Sequence, residues 1–162
     1  MSATFTAAEL NAVLPALRRF AISLTRNEDR ADDLVQDSVE RSLLKAEHFE
    51  PGTNLRSWIF TVCRRIFLNQ IRKQKSQGVS VELDDAPQAK LSEAAPQTSA
   101  LAFKEMAGHF DRLPLRDKVV LSLVVIEGMK YEEAAAMLNV PVGTVRSRLS
   151  RARNRLKALV DG

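Results

Sequence analysis

Residues 131–159 read YEEAAAMLNVPVGTVRSRLSRARNRLKAL, and the rest of the chain is understood from them. The stretch predicts a short helix over Tyr131–Leu138, a tight turn and a longer basic helix. Ala134, Ala135 and Leu138 face inward, and the small alanines let a second helix cross closely. Asn139 suits a left-handed turn position, because its short amide tolerates positive φ. Pro141 pre-sets φ for the first turn that follows. Val145, Leu149, Ala152, Leu156 and Leu159 then recur at helical spacing as a buried stripe. Gly143, Ser147, Ser150 and Asn154 lie opposite, flanked by Arg146 and Arg151. This is the layout of a helix-turn-helix whose second helix enters a DNA major groove.

A plain solvated surface helix is the alternative. However, Arg146, Arg148, Arg151, Arg153 and Arg155 have no acid four residues before or after them, so the sequence offers them no salt-bridge partner within the helix. The outward face also keeps short side chains at its centre, which lets the helix approach base edges. Uncompensated basic helices are the electrostatic footprint of phosphate binding.

With 162 residues, the chain has room for one domain or two small ones. Ala, Leu and Arg abound while aromatics make up only 6%, which favours an all-α chain. The net charge of +4 leans towards an acidic partner. Cys63 stands alone, so no intrachain disulfide is possible and a reducing compartment is natural. His48 and His109 are far apart in sequence and have no cysteine partners, so neither a metal nor a cofactor is expected. No apolar run approaches the roughly 20 residues that a membrane span needs, and the start lacks the order of a signal peptide. No membrane association and a cytoplasmic location are therefore expected.

Before the basic helix, Leu10, Val13, Leu14, Leu17, Ala21 and Leu24 follow helical spacing. Pro15 interrupts them, so the regular helix is expected to begin there and end near Asn27, after a loose start before Leu10. A second helix, Glu28 to Ala46, turns Ala31, Leu34, Val35, Ser38 and Ser42 inward. Asp33, Gln36, Asp37 and Glu40 gather on its far side, with Leu44 one turn on. Acids near a helix start meet the macrodipole favourably, but that does not explain an apolar residue within an acidic face. Such a face suggests a protein partner with a basic rim.

A turn-rich loop, Phe49 to Asn54, precedes a third helix, Leu55 to about Lys75, with Asn54 or Thr53 as its cap. This helix is apolar around most of its circumference and must sit between neighbours. One polar strip remains, Thr61, Arg65, Asn69 and Arg72. It is either the wet side of a core helix or a surface on which asparagine reads a base edge and arginines hold phosphates.

From Ser76 to Ser99 the chain has no aromatic residue and is rich in Ser, Gln, Ala, Pro and acids, which reads as a flexible linker, 76–99, between domains at 8–75 and 100–160. Asp84 and Asp85 lie in it as solvated charge. The second domain opens with a helix near Leu101 to Leu113, with Phe103, Met106, Ala107 and Phe110 on one face. Pro114 starts the next, Leu115 to Ile126, with Val119, Val120, Leu123 and Val124 as core and Gly128 as its C-terminal stop. There is no phosphate-cradling loop, no nucleophile with a nearby base and no metal-ligand spacing, so no enzyme is expected.

Taken together, RADDLVQDSVERSLL (30–44), FEPGTNLRSWIFTVCRRIFLNQIRK (49–73) and LPLRDKVVLSLVVIEGMKYEEAAAMLNVPVGTVRSRLSRARNRL (113–156) resemble an extracytoplasmic-function sigma factor of bacterial RNA polymerase. The likeness is greatest to the general-stress-response group of alphaproteobacteria, whose members answer to a NepR-type anti-sigma factor and a PhyR-type response regulator. The resemblance implies two small helical domains and a subunit that gives core polymerase, through its β′ and β subunits, its promoter specificity. It implies that Asp33, Leu34, Gln36, Asp37 and Glu40 meet the β′ coiled coil. It assigns Pro51, Gly52, Asn54, Arg65, Asn69 and Arg72 to the −10 element of promoter DNA. Thr144, Arg146, Ser147, Ser150 and Arg151 would read the −35 element. A sigma-like decoy that only sequesters an anti-sigma factor is the alternative. It would keep the packing, lose the DNA-contacting arginines and carry a receiver domain. This sequence keeps the arginines and shows no receiver.

Overall fold

A computed structural model describes residues 4–78 and 98–161, with side chains described for 4–78 and 104–161. Every regular element among the described residues is helical. Helix α1 spans Ala7–Thr25, α2 Glu28–Leu44, α3 Leu55–Ser76, α4 Thr98–Asp111, α5 Leu115–Leu121, α6 Tyr131–Leu138 and α7 Val142–Asp161. Most of the expected linker, residues 79–97, lies outside the described residues, as do the side chain of Phe103 and the pair Asp84 and Asp85.

The first three helices form a bundle in which each packs on the other two. Helix α1 starts earlier than expected, because Thr6 and Glu9 make a capping box: the Glu9 N–H donates to Thr6 Oγ1 at 3.0 Å and the Thr6 N–H to Glu9 Oε1 at 3.4 Å. Pro15 sits inside the helix rather than at its start. Its missing donor would have met the carbonyl of Asn11, an exposed residue whose backbone water can satisfy. Residues 4–9 are not loose either. Phe5 is 6% exposed and packs edge-on to Phe49, ring centroids 5.9 Å apart, with Trp58 completing the cluster.

Asn27 caps α2 by accepting the Arg30 N–H at 3.0 Å. Ala31, Leu34, Ser38 and Ser42 face inward as expected, and the small residues let α3 approach. Phe20 of α1 stacks on Phe60 of α3 with ring centroids 4.7 Å apart, and Ile59 and Cys63 fill the space beside them. Burial pushes the Cys63 thiol up to about 12, only partly offset by a hydrogen bond with Ser38.

In the second half, Val120, Leu123, Ala134, Val145, Leu149 and Ala152 build the core, each 1% exposed or less. Asn139 is left-handed at φ 57°, ψ 47°, the conformation its side chain was expected to tolerate. Gly128, at φ 69°, ends the preceding helix as expected. Met106, on the α4 face named from the sequence, is 44% exposed. One expectation fails here. After Leu121 the helix widens into a π turn over Ser122–Ile126, where the Glu127 N–H reaches back to the Ser122 carbonyl at 2.9 Å. That turn carries Glu127 into the gap between the two halves.

Candidate polymerase and nucleic-acid interface

The two halves pack directly on each other, α1 against α5 and α3 against α6. The sequence predicts two domains and a linker, with their relative placement left open. Arg19 of α1 grips Glu127 with two hydrogen bonds, 3.1 and 2.9 Å, and the Glu127 side chain is 2% exposed. Arg56 of α3 donates to the Glu127 carbonyl at 2.8 Å. Below these, Arg26 and Asp111 stand 3.9 Å apart, beside a Lys118 that is only 1% exposed. Burial first, and the Arg26 charge second, lower the Lys118 ammonium to about 7, while Asp111 acts the other way. Burial likewise raises the Asp111 carboxyl, against the pull of Lys118 and Arg26.

On α2, Asp33, Gln36, Asp37 and Glu40 are all exposed on one face. Leu34 is not with them. It is 1% exposed and belongs to the core, because the helical turn that presents Asp33 and Asp37 outward points Leu34 inward. The apolar component of this face is instead Leu43 and Leu44, 56% and 75% exposed.

The loop Pro51–Asn54 is exposed, with Gly52 at φ 90°, a conformation that favours glycine. Asn54 caps α3, its Oδ1 accepting the Ser57 N–H at 3.1 Å. Its Nδ2 faces the other way and donates to Glu133 of α6 at 2.8 Å. Ser57 Oγ donates to the same carboxylate oxygen at 3.0 Å. Arg65, Asn69 and Arg72 lie exposed further along α3, with Arg72 Nη1 donating to Asn69 Oδ1 at 3.4 Å.

On α7, Arg146, Ser147, Ser150 and Arg151 are exposed together, and Thr144 is half-buried behind them with its carbonyl accepting Ser147 Oγ at 3.1 Å. The Arg146 guanidinium lies 5.9 Å from the centroid of the Tyr131 ring, a contact between α7 and the start of α6. Arg155 has no acid partner within α7, as expected, but finds one outside it: its Nη1 meets the buried Asp117 at 3.0 Å. The acid comes from α5, so spacing along α7 could not reveal it. Arg64 of α3 and Arg148 of α7 line one cavity, and burial followed by the charge of Arg148 lowers the Arg64 guanidinium. A cavity of about 180 Å³ opens beside them, lined also by Leu24, Phe67 and Arg116.

The residues that sequence reading missed are Arg19, Arg56, Ser57, Glu127 and Glu133. All act across the junction, where no periodicity links the partners. Among the described residues no group of acids, histidines or cysteine could hold a metal ion, and no helix is long and apolar enough to cross a membrane.

Residues 110–156 match the family model for sigma-70 region 4, and residues 10–64 match the model for the sigma2 domain of PhyR. The ECF RNA polymerase sigma factor EcfG of Rhodopseudomonas palustris is 44% identical over 157 residues, 95% of this chain and 85% of the relative. SigM of Bacillus subtilis is 31% identical, over 88% of this chain and 87% of its own. Among solved structures, the sigma factor RpoE in complex with the anti-sigma factor NepR from Bartonella quintana superposes with a TM-score of 0.79 at 38% identity, covering 95% of both chains. CnrH in complex with the cytosolic domain of CnrY gives 0.61 at 26% identity, over 95% of this chain and 84% of that one. With identities of 44% and 31% over most of both chains, the chain belongs to the ECF RNA polymerase sigma factors.

Proposed function

We propose that this chain binds core RNA polymerase in the cytoplasm, directs it to stress-response promoters, and is held inactive by a small anti-sigma factor of the NepR type. It acts as a specificity subunit, with the chemistry left to the polymerase. The observation that carries the reading is the exposed α7 face, where Arg146, Ser147, Ser150 and Arg151 stand together on the second helix of a helix-turn-helix.

In this reading residues 8–75 form the domain for core polymerase and the −10 element, 76–99 link it, and 100–160 form the −35 domain. Asp33, Gln36, Asp37 and Glu40, with Leu43 and Leu44 beside them, meet the β′ coiled coil. Pro51, Gly52 and Asn54 hold a −10 base, with Arg65, Asn69 and Arg72 along the strand. Thr144, Arg146, Ser147, Ser150 and Arg151 take the −35 duplex.

The packed arrangement of the halves supports inhibition by closure. The superposition over 95% of both chains supports a like placement of the halves in the Bartonella sigma factor, which is in complex with the anti-sigma factor NepR. The decoy alternative is not favoured, because a decoy has no use for an exposed arginine-serine face on α7. Run-off transcription with core polymerase on a promoter library tests the function. The expected result is promoter-selective transcripts that an added anti-sigma factor abolishes. Binding to an anti-sigma factor without any transcript would support the decoy instead.

A further inference from the structure

The start of α3 carries an anion site that is occupied from within the chain. Asn54 Nδ2 and Ser57 Oγ donate to one oxygen of the Glu133 carboxylate at 2.8 and 3.0 Å, and Arg56 Nη2 stands 4.0 Å from the other oxygen. Each donor is free for a local reason. Asn54 spends its Oδ1 on the cap and so turns its amide outward, while Ser57 has its N–H taken by that cap and keeps its hydroxyl. Arg56 is fixed in place by its bond to the Glu127 carbonyl. The positive end of α3 adds to the attraction. None of the three side chains is in the core of the first bundle: Asn54 is exposed, and Arg56 and Ser57 are half-buried.

To such donors a carboxylate and a phosphodiester are alike, each a monoanion with two oxygens that accept charge-assisted hydrogen bonds. We infer that Asn54, Arg56 and Ser57 form a binding site for a backbone phosphate of the separated promoter strand, and that Glu133 fills it as an internal stand-in while the halves are packed. The inference rests on the reading of Pro51–Asn54 as the −10 loop. Glu133 and the phosphate then compete for one site. Strand capture requires α6 to leave α3, so opening of the chain and capture of the −10 strand form a single equilibrium. Core polymerase that holds the halves apart leaves the site free.

The test uses the full chain, free and bound to core, with a labelled single −10 strand from the strongest promoter found by run-off transcription. Glu133→Gln keeps the size and removes the charge. It should raise the free chain's affinity about 5- to 10-fold, and leave that of the holoenzyme unchanged. Arg56→Ala and Ser57→Ala should each weaken the holoenzyme about 3- to 10-fold. A neutral methylphosphonate at one position of the strand should cancel the Arg56→Ala effect, which distinguishes a phosphate contact from lost folding.

The inference is overturned by Glu133→Gln having no effect on the free chain, by Arg56→Ala and Ser57→Ala having none on the holoenzyme, or by no methylphosphonate position cancelling the Arg56→Ala loss. A wild-type holoenzyme indifferent to the −10 sequence would instead refute the loop assignment itself.

Discussion

Lys118→Met should stabilise the protein at low pH and flatten its pH profile. Lys118 is 1% exposed, and its ammonium is lowered to about 7 from an ordinary value of 10.5. Between those values the unfolded chain binds a proton that the folded chain does not, so folding stability rises as pH rises through this window. Below about pH 7 both states are protonated and the full cost of burying the charge is present. At about 1.4 kcal/mol per pH unit the gap corresponds to a cost of about 5 kcal/mol, of which a measurable 2–4 kcal/mol, roughly, should return when methionine fills the same space. Arg26 would also lose a neighbouring like charge, which acts in the same direction.

Urea unfolding of the full chain, followed by circular dichroism at pH 6, 7, 8 and 9, measures this. The wild type should gain stability from pH 7 to 9 with a slope of up to about 1.4 kcal/mol per unit, and the methionine variant should exceed it at pH 6 with a flatter profile. A wild type with level stability over that range, or a variant weaker at pH 6, would refute the reasoning. Either result would mean that Lys118 keeps enough hydration or pairing to carry its charge inside.

Asp37→Arg, on the exposed face of α2, should weaken binding to core polymerase while leaving helical content intact, because it sets like charge against a basic rim; a core-binding titration checks it. Arg151→Ala should weaken a −35 duplex and relax its sequence preference, since a bidentate arginine–guanine contact supplies about 1–3 kcal/mol of discrimination. Lys157→Ala, off the centre of that face, should weaken all duplexes about equally and lower the salt slope by roughly one, measured on matched and substituted duplexes at several salt concentrations. Cys63, with its thiol pushed up to about 12, should resist maleimide at pH 8 in the folded chain and react once urea unfolds it.

What could be read from the sequence is whatever depends on neighbours along the chain. Asn139 is left-handed and Gly128 ends its helix because each needs only its own backbone and the next turn. The inward sets of α2 and α7 follow from period alone, so the exposed faces opposite them followed too. Pro15 misled because its local penalty was weighed without the capping box before it and the solvent exposure of Asn11. Leu34 was placed on a surface by a resemblance over a whole segment, although its own position in the helical repeat put it inward. The π turn and the Arg155–Asp117 pair depend on what packs across from them, and no local pattern records that.

The junction between the halves joins polar contacts to an apolar patch, with Leu24 and Phe67 of the first half and Leu115, Val119 and Leu138 of the second lining one cavity. Its hydrogen bonds run through the buried Glu127 and the half-buried Glu133 to arginine, serine and asparagine side chains. Those to Glu133 are partly open to water and screened by salt, whereas Glu127 is shielded from both. Beside them Arg64 faces Arg148 across the cavity, and two like charges partly removed from water favour separation. Attraction through the two acids and repulsion between the two arginines therefore act in opposite directions across the junction. In the proposed reading, an acidic partner beside Arg64 and Arg148 would favour the packed arrangement, and a DNA strand that takes Asn54, Arg56 and Ser57 from Glu133 would favour the open one.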